Sequence, residues 1–176
     1  MKSLLKYDVL KPNGISVKLP VIFLHGFYGS KSNLRHIANS PLIHSDRHCY
    51  LLDLRNHGDS FHDESMDYNS MTSDIITFMN YVGINKAIWV GHSYGAKIGY
   101  YAALQYSSYV SSVIALDIGL SNILSHEYLS KKNNKTCNKQ HLLVMNQNYL
   151  NLAQCLSYLK PWNQWNGKIG KKLKNS

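Results

Sequence analysis

Gly91-His92-Ser93-Tyr94-Gly95 carries the plainest chemistry in the chain. A serine spaced as G-x-S-x-G suits a sharp strand-to-helix turn that lifts its hydroxyl above a sheet. The two glycines keep the neighbouring chain clear of that turn. The pentapeptide alone is only a Gly/Ser turn, so its flanks decide. Ala87-Ile88-Trp89-Val90 before it reads as a buried strand. Tyr94 to Tyr106 after it reads as a helix, with Ala96, Ala102, Ala103 and Leu104 available to pack on a sheet. Ser93 is therefore the expected nucleophile, with a helix N-terminus beneath any oxyanion formed on its substrate.

Two further blocks follow buried-strand patterns. Val21-Ile22-Phe23-Leu24 runs into His25-Gly26-Phe27-Tyr28-Gly29. A loop in that place supplies the second oxyanion donor, so the backbone N–H groups of Phe27 and Tyr94 are the expected pair. His25 and His92 read as loop-bracing residues that do not touch substrate. Cys49-Tyr50-Leu51-Leu52 runs into Asp53-Leu54-Arg55-Asn56-His57-Gly58-Asp59-Ser60. Charged loops at strand C-termini face ligands in such sheets, but here a self-bonded turn is expected, with Asp53 or Asp59 paired to Arg55. Val113-Ile114-Ala115-Leu116 is a fourth strand, ending at Asp117.

The elements that must hold these residues follow from the same periodicities. Apolar runs without alternation fit strands buried on both faces of a parallel sheet. Tyr7 to Leu10 and Ile15 to Leu19 flank Lys11-Pro12-Asn13-Gly14 and suggest an antiparallel edge hairpin. Met71, Ile75, Phe78, Met79 and Val82 keep helical spacing, with Ser70 as N-cap, Asp74 in the first turn and Gly83 as the stop. Alternating strands and helices give an α/β class with a mostly parallel sheet.

The chain has 176 residues, 44% hydrophobic and 16% charged, which suits one domain with a real core. No apolar run has the length of a membrane span. Three cysteines, Cys49, Cys137 and Cys155, show no CxxC spacing, which argues against a disulfide scaffold or zinc knuckle. The formal charge is +9, but it is unevenly placed. Residues 1–120 hold ten Lys/Arg and nine Asp/Glu, while residues 121–176 hold nine Lys and a single acid, Glu127. The basic third reads as a polar, biased segment rather than a nucleic-acid or membrane contact, since it lacks arginine and any nucleic-acid motif. It divides as a loop at Lys131 to Lys135, one amphipathic helix over Tyr149 to Leu159 ended by Pro161, and a tail from Lys168.

Together these blocks resemble the α/β-hydrolase superfamily, and more narrowly the small esterases related to α/β-hydrolase domain-containing protein eleven. The carriers are His25-Gly26-Phe27-Tyr28-Gly29-Ser30-Lys31, Asp53 to Ser60, Gly91 to Lys97 and Ala115-Leu116-Asp117-Ile118. The resemblance covers residues 4–122. It implies hydrolysis of a small acyl ester or thioester through an acyl-enzyme on Ser93, with no metal or organic cofactor. It also implies a histidine base oriented by an acid, in the chain order nucleophile, acid, histidine. Asp117 ends the strand after the elbow, one place where relatives carry the acid; many members carry it one strand later. The alternative for Asp117 is a strand-end aspartate that caps its loop.

Only His126 and His141 follow Ser93, and neither stands where the catalytic histidine is expected. The last strands and the histidine loop are expected to be missing. Residues 1–122 then form the N-terminal part of the hydrolase domain and residues 123–176 a divergent basic segment. On this reading the chain is a truncated or aberrantly spliced hydrolase, or one whose frame departs near residue 122. Without its base the rate falls by about 10⁴-fold or more. The competing function is a non-catalytic binding protein. No leader is expected at the N-terminus, which suits the cytoplasm, while resemblance to a mitochondrial relative keeps that organelle as the alternative.

Overall fold

The computed structural model describes residues 4–16, 18–118 and the backbone of 142–145. The loop, helix and tail expected over residues 131–176, His126 and His141 lie outside the described residues.

Six strands form one sheet: β1 (Tyr7–Leu10), β2 (Val21–Leu24), β3 (Cys49–Leu52), β4 (Ala87–His92), β5 (Val110–Leu116) and β6 (Leu142–Met145). Their order is β1-β3-β2-β4-β5-β6. All neighbours are parallel except β1 and β3. The central strand β4 lies between β2 and β5, so loops after three adjacent strands converge at its C-terminal end, where such sheets bind ligands.

Alternate residues of each strand feed two cores. Ile22, Leu24, Trp89, Val113 and Ala115 pack with Met71, Ile75 and Phe78 of α3 (Tyr68–Tyr81) and Ala96, Ile98 and Tyr100 of α4 (Tyr94–Gln105). Val21, Phe23, Leu51, Ile88, Val90 and Ile114 face the other side. There they meet Ala38 of α1 (Arg35–Ala38) and Ile43 of α2 (Pro41–His44). A sheet covered on both faces explains why its strands are apolar throughout.

Three expectations are corrected. The edge hairpin does not form: β1 pairs antiparallel with β3, and Ile15 is 89% exposed. β1 thereby covers the open hydrogen-bonding edge of β3. α3 starts one turn earlier than expected, because Asp67 is its N-cap and accepts from Ser70 N at 2.9 Å. Asp67 and Ser70 both have capping chemistry, and the earlier residue captures the helix. Finally, a strand does follow β5. Leu142 to Met145 lie in parallel register with Val113 to Leu116, inside the segment read as divergent. No described helix is long and apolar enough to cross a membrane.

Candidate active site

Ser93 sits at the turn from β4 into α4 with φ +47° and ψ −104°. A side-chain-bearing residue rarely adopts that conformation, and holding it costs about 1–3 kcal/mol. The surroundings over-determine it. Ser93 N donates to Leu116 O at 3.0 Å, and Ser93 O accepts from Ala96 N at 3.1 Å and Lys97 N at 3.3 Å. Gly91 and Gly95 are demanded by close approach. A Cβ on Gly91 would enter the backbone of Gly95 and Ala96, and one on Gly95 would enter the Leu24 carbonyl. α4 is thus pressed end-on against β2. The Ser93 side chain makes no capping bond to its helix, and the residue is only half-buried.

The loop after β2 curls back on itself, with Gly29 N donating to Gly26 O at 3.0 Å. Among the described residues, neither the Phe27 nor the Tyr94 N–H donates to a backbone carbonyl. Among the described residues both are unspent donors, and the Phe27 and Tyr94 rings pack edge-on at 5.4 Å. Tyr94 is fixed further by its hydroxyl, which donates to Met66 O at 3.1 Å.

His25 is buried and braces this loop as expected. Its Nδ1 lies 2.8 Å from Gly26 O, and its Nε2 lies 3.1 Å from Leu54 N. Since Nε2 can only accept from that N–H, the proton is assigned to Nδ1, and the neutral ring is the fitting form. Burial, opposed by the Gly26 carbonyl, depresses the His25 pKa below its ordinary 6.5.

Asp117 follows β5 with φ +56°. Because Leu116 pairs with His92, Asp117 emerges on the same sheet end as Ser93. Its half-exposed carboxylate stands 3.8 Å from His92 Nε2. His92 neighbours Ser93 in sequence, so this contact is neither a triad bond nor a plain loop cap. Asp117 and Ser93 are brought to one end of the sheet, but no described histidine joins them to complete a triad.

The Asp53–Ser60 turn is corrected. Arg55 does not pair with Asp53 or Asp59; it forks onto Asp74 of α3 at 2.6 and 2.8 Å and also reaches Ser65 Oγ at 2.6 Å. Asp53 takes Lys31 instead, at 2.6 Å. Proximity in sequence favoured the local pair, but a bidentate buried carboxylate on α3 suits a guanidinium better. Lys31 and Asp74 are the site-supporting residues whose roles sequence reasoning missed. Lys31 had a signal, as the residue carrying a fixed charge at the end of a loop motif that otherwise has none. Among the described residues, no group of three metal-ligating side chains forms.

A parallel sheet with a strained serine at a strand-to-helix elbow defines the α/β-hydrolase class. Residues 20–154 match the alpha/beta hydrolase fold family, and the chain belongs to it. It is 38% identical over 122 residues to the sn-1-specific diacylglycerol lipase ABHD11 of Danio rerio, covering 69% of this chain and 38% of that protein. It is 35% identical over 118 residues to ethanol acetyltransferase 1 of Wickerhamomyces anomalus, covering 63% of this chain and 30% of that one. Among solved structures, a marine microorganism esterase superposes with a TM-score of 0.60 at 32% identity, over 66% of this chain and 42% of its own. The chain thus spans well under half the length of these relatives.

Proposed function

We propose that the chain is a serine hydrolase of the esterase or thioesterase type, acting through an acyl-enzyme on Ser93. The observation that carries this reading is the backbone of Ser93, held at φ +47°. Strain of that kind is kept only where surrounding structure enforces it, and a strained serine between a buried strand and a helix supports a nucleophile role. In the reaction Ser93 Oγ attacks the substrate carbonyl carbon and gives its proton to a general base, a role that none of the described histidines fills. The carbonyl oxygen becomes an oxyanion held by the N–H groups of Phe27 and Tyr94. The leaving group departs with that proton, and water then releases the acyl group from Ser93. Asp117 takes the role of the acid that orients the base. The likeness to an esterase and to a diacylglycerol lipase supports an ester substrate.

A second reading is an impaired hydrolase, or a non-catalytic binding protein, that keeps the elbow without its base. It is favoured by the contact of Asp117 with His92 rather than with a histidine bonded to Ser93. A fluorophosphonate probe, with Ser93→Ala as control, separates the two. Labelling that disappears in the variant supports the activated serine. Folded protein that takes no label overturns the esterase reading in favour of the second.

A further inference from the structure

The loop bearing the Phe27 N–H is tied at both ends to one neighbouring loop, the one after β3. His25 makes the near tie, through Leu54. The far tie is a buried carboxylate. Asp53 Oδ1 accepts from Lys31 N at 2.6 Å, and Oδ2 accepts from Lys31 Nζ at 2.6 Å and from Asp59 N at 3.0 Å. Its side chain is fully buried, and that of Lys31 is 16% exposed. Lys31 Nζ also meets the exposed Asp59 carboxylate at 2.5 Å. Asp53 is itself fixed, since its N–H donates to Lys6 O at 2.9 Å and its carbonyl accepts from Ser60 Oγ at 2.6 Å. Gly58, at φ +53°, closes over the carboxylate so tightly that any Cβ there would overlap it. Burial alone would raise the Asp53 pKa, but the Lys31 ammonium and the two backbone N–H groups hold it below the ordinary carboxylate value.

Such an arrangement is more than a turn needs. Three donors converge on two oxygens, so only an ionised carboxylate satisfies them; an amide in its place would turn an NH₂ toward at least one donor. Two of the three donors belong to Lys31, the last residue of the oxyanion loop.

We propose that Asp53, acting through Lys31, is a positioning residue for the oxyanion hole. It fixes the span from Gly26 to Lys31 so that the Phe27 N–H is already aimed when charge develops on the substrate oxygen. This inference rests on the esterase reading. Losing one oxyanion donor outright lowers kcat by about 10²–10³-fold, so a loosened donor lowers it by a part of that.

The test uses Asp53→Asn and Lys31→Met in the full chain, with Lys18→Met, at a remote surface pair with Asp46, as comparator. The kcat and KM for p-nitrophenyl acetate are measured where circular dichroism shows each variant folded. Amide exchange is followed for residues 26–31 and for β4. The expected result is a kcat lower by about 10-fold or more, a KM within about twofold, and faster exchange confined to residues 26–31. Lys18→Met changes neither. A variant that melts earlier but keeps the wild-type kcat overturns the proposal, because Asp53 is then only structural. Unchanged exchange in residues 26–31 overturns it as well. Should Asp53→Asn fail to fold, Lys31→Met decides on the same readouts. A wild-type chain that takes no phosphonate and turns over no ester removes the esterase reading and this proposal together. Loss of the proposal alone appears as a labelled, active wild type whose variants match it.

Discussion

Replacing Ser93 with glycine is expected to stabilise the fold relative to Ser93→Ala, although both remove the hydroxyl. The comparison isolates backbone strain. Each variant loses the same hydroxyl, and that hydroxyl makes no helix-capping bond, so no capping energy enters the difference. Alanine keeps the Cβ that makes φ +47°, ψ −104° unfavourable, and glycine does not. The strain released is about 1–3 kcal/mol. Against it, glycine's greater freedom in the unfolded chain returns about 0.4–1 kcal/mol. The net expectation runs from about 0 to about 2.6 kcal/mol in favour of Ser93→Gly. At this chain length each kcal/mol moves the midpoint of thermal unfolding by about 2–4 °C. Urea denaturation followed by far-ultraviolet circular dichroism, with both variants at one protein concentration, measures the difference directly. Should Ser93→Gly prove less stable than Ser93→Ala, the elbow stores no strain and the observation carrying the functional reading fails.

Two other perturbations have expected outcomes. Arg55→Met strands the buried Asp74 carboxylate, whose side chain is only 2% exposed, and should cost about 3–5 kcal/mol in urea denaturation. Arg55→Met with Asp74→Leu should recover much of that loss, and a double variant as unstable as the single would refute the pairing. His25 makes stability depend on pH in a stated direction. Its folded pKa lies below the ordinary 6.5 because it is buried, so the unfolded chain takes the proton first. Its neutral form is fully supported above about pH 6.5, and stability is lost as pH falls from there toward the depressed value, by up to about 1.4 kcal/mol per pH unit. Denaturation of wild type and His25→Gln at several values between pH 5 and 7.5 reads this as a difference in slope; parallel curves would refute it.

The strand-to-helix elbow at Ser93 and the loop after β2 were legible because they lie in short local patterns. Ser93, Phe27 and Tyr94 are placed by a glycine-framed turn or loop directly after an apolar strand, and the sheet then has little choice about where they emerge. Pairing between loops was not legible in the same way. Asp53, Arg55, Asp59, Lys31 and Asp74 allow several ion pairs, and sequence distance favours Arg55 with its neighbours. The fold decides otherwise, because β2 and β3 are adjacent and parallel and set the loop ending in Lys31 beside the one beginning at Asp53. α3 meanwhile brings Asp74 under Arg55. The hairpin expectation paired Tyr7–Leu10 with the next segment in sequence, whereas the fold pairs it with the distant β3.

β6 bears on the acid. Its four apolar residues carry no flanking glycine or proline to announce a strand, and only its register with β5 identifies it. With the strand in place, the residue after it can be read: Asn146, followed by Gln147 and Asn148, none of them a carboxylate. A relative that carries its acid one strand beyond Asp117 would need it there. In this sequence the acids after Ser93 are Asp117 and Glu127 alone. Asp117 is the one that a strand paired with β4 delivers to the Ser93 end of the sheet. Asp117→Asn should therefore lower the rate of fluorophosphonate labelling without lowering the stability of the fold, since its half-exposed carboxylate holds no buried partner. Equal labelling rates in the variant and the wild type would take the acid role away from Asp117.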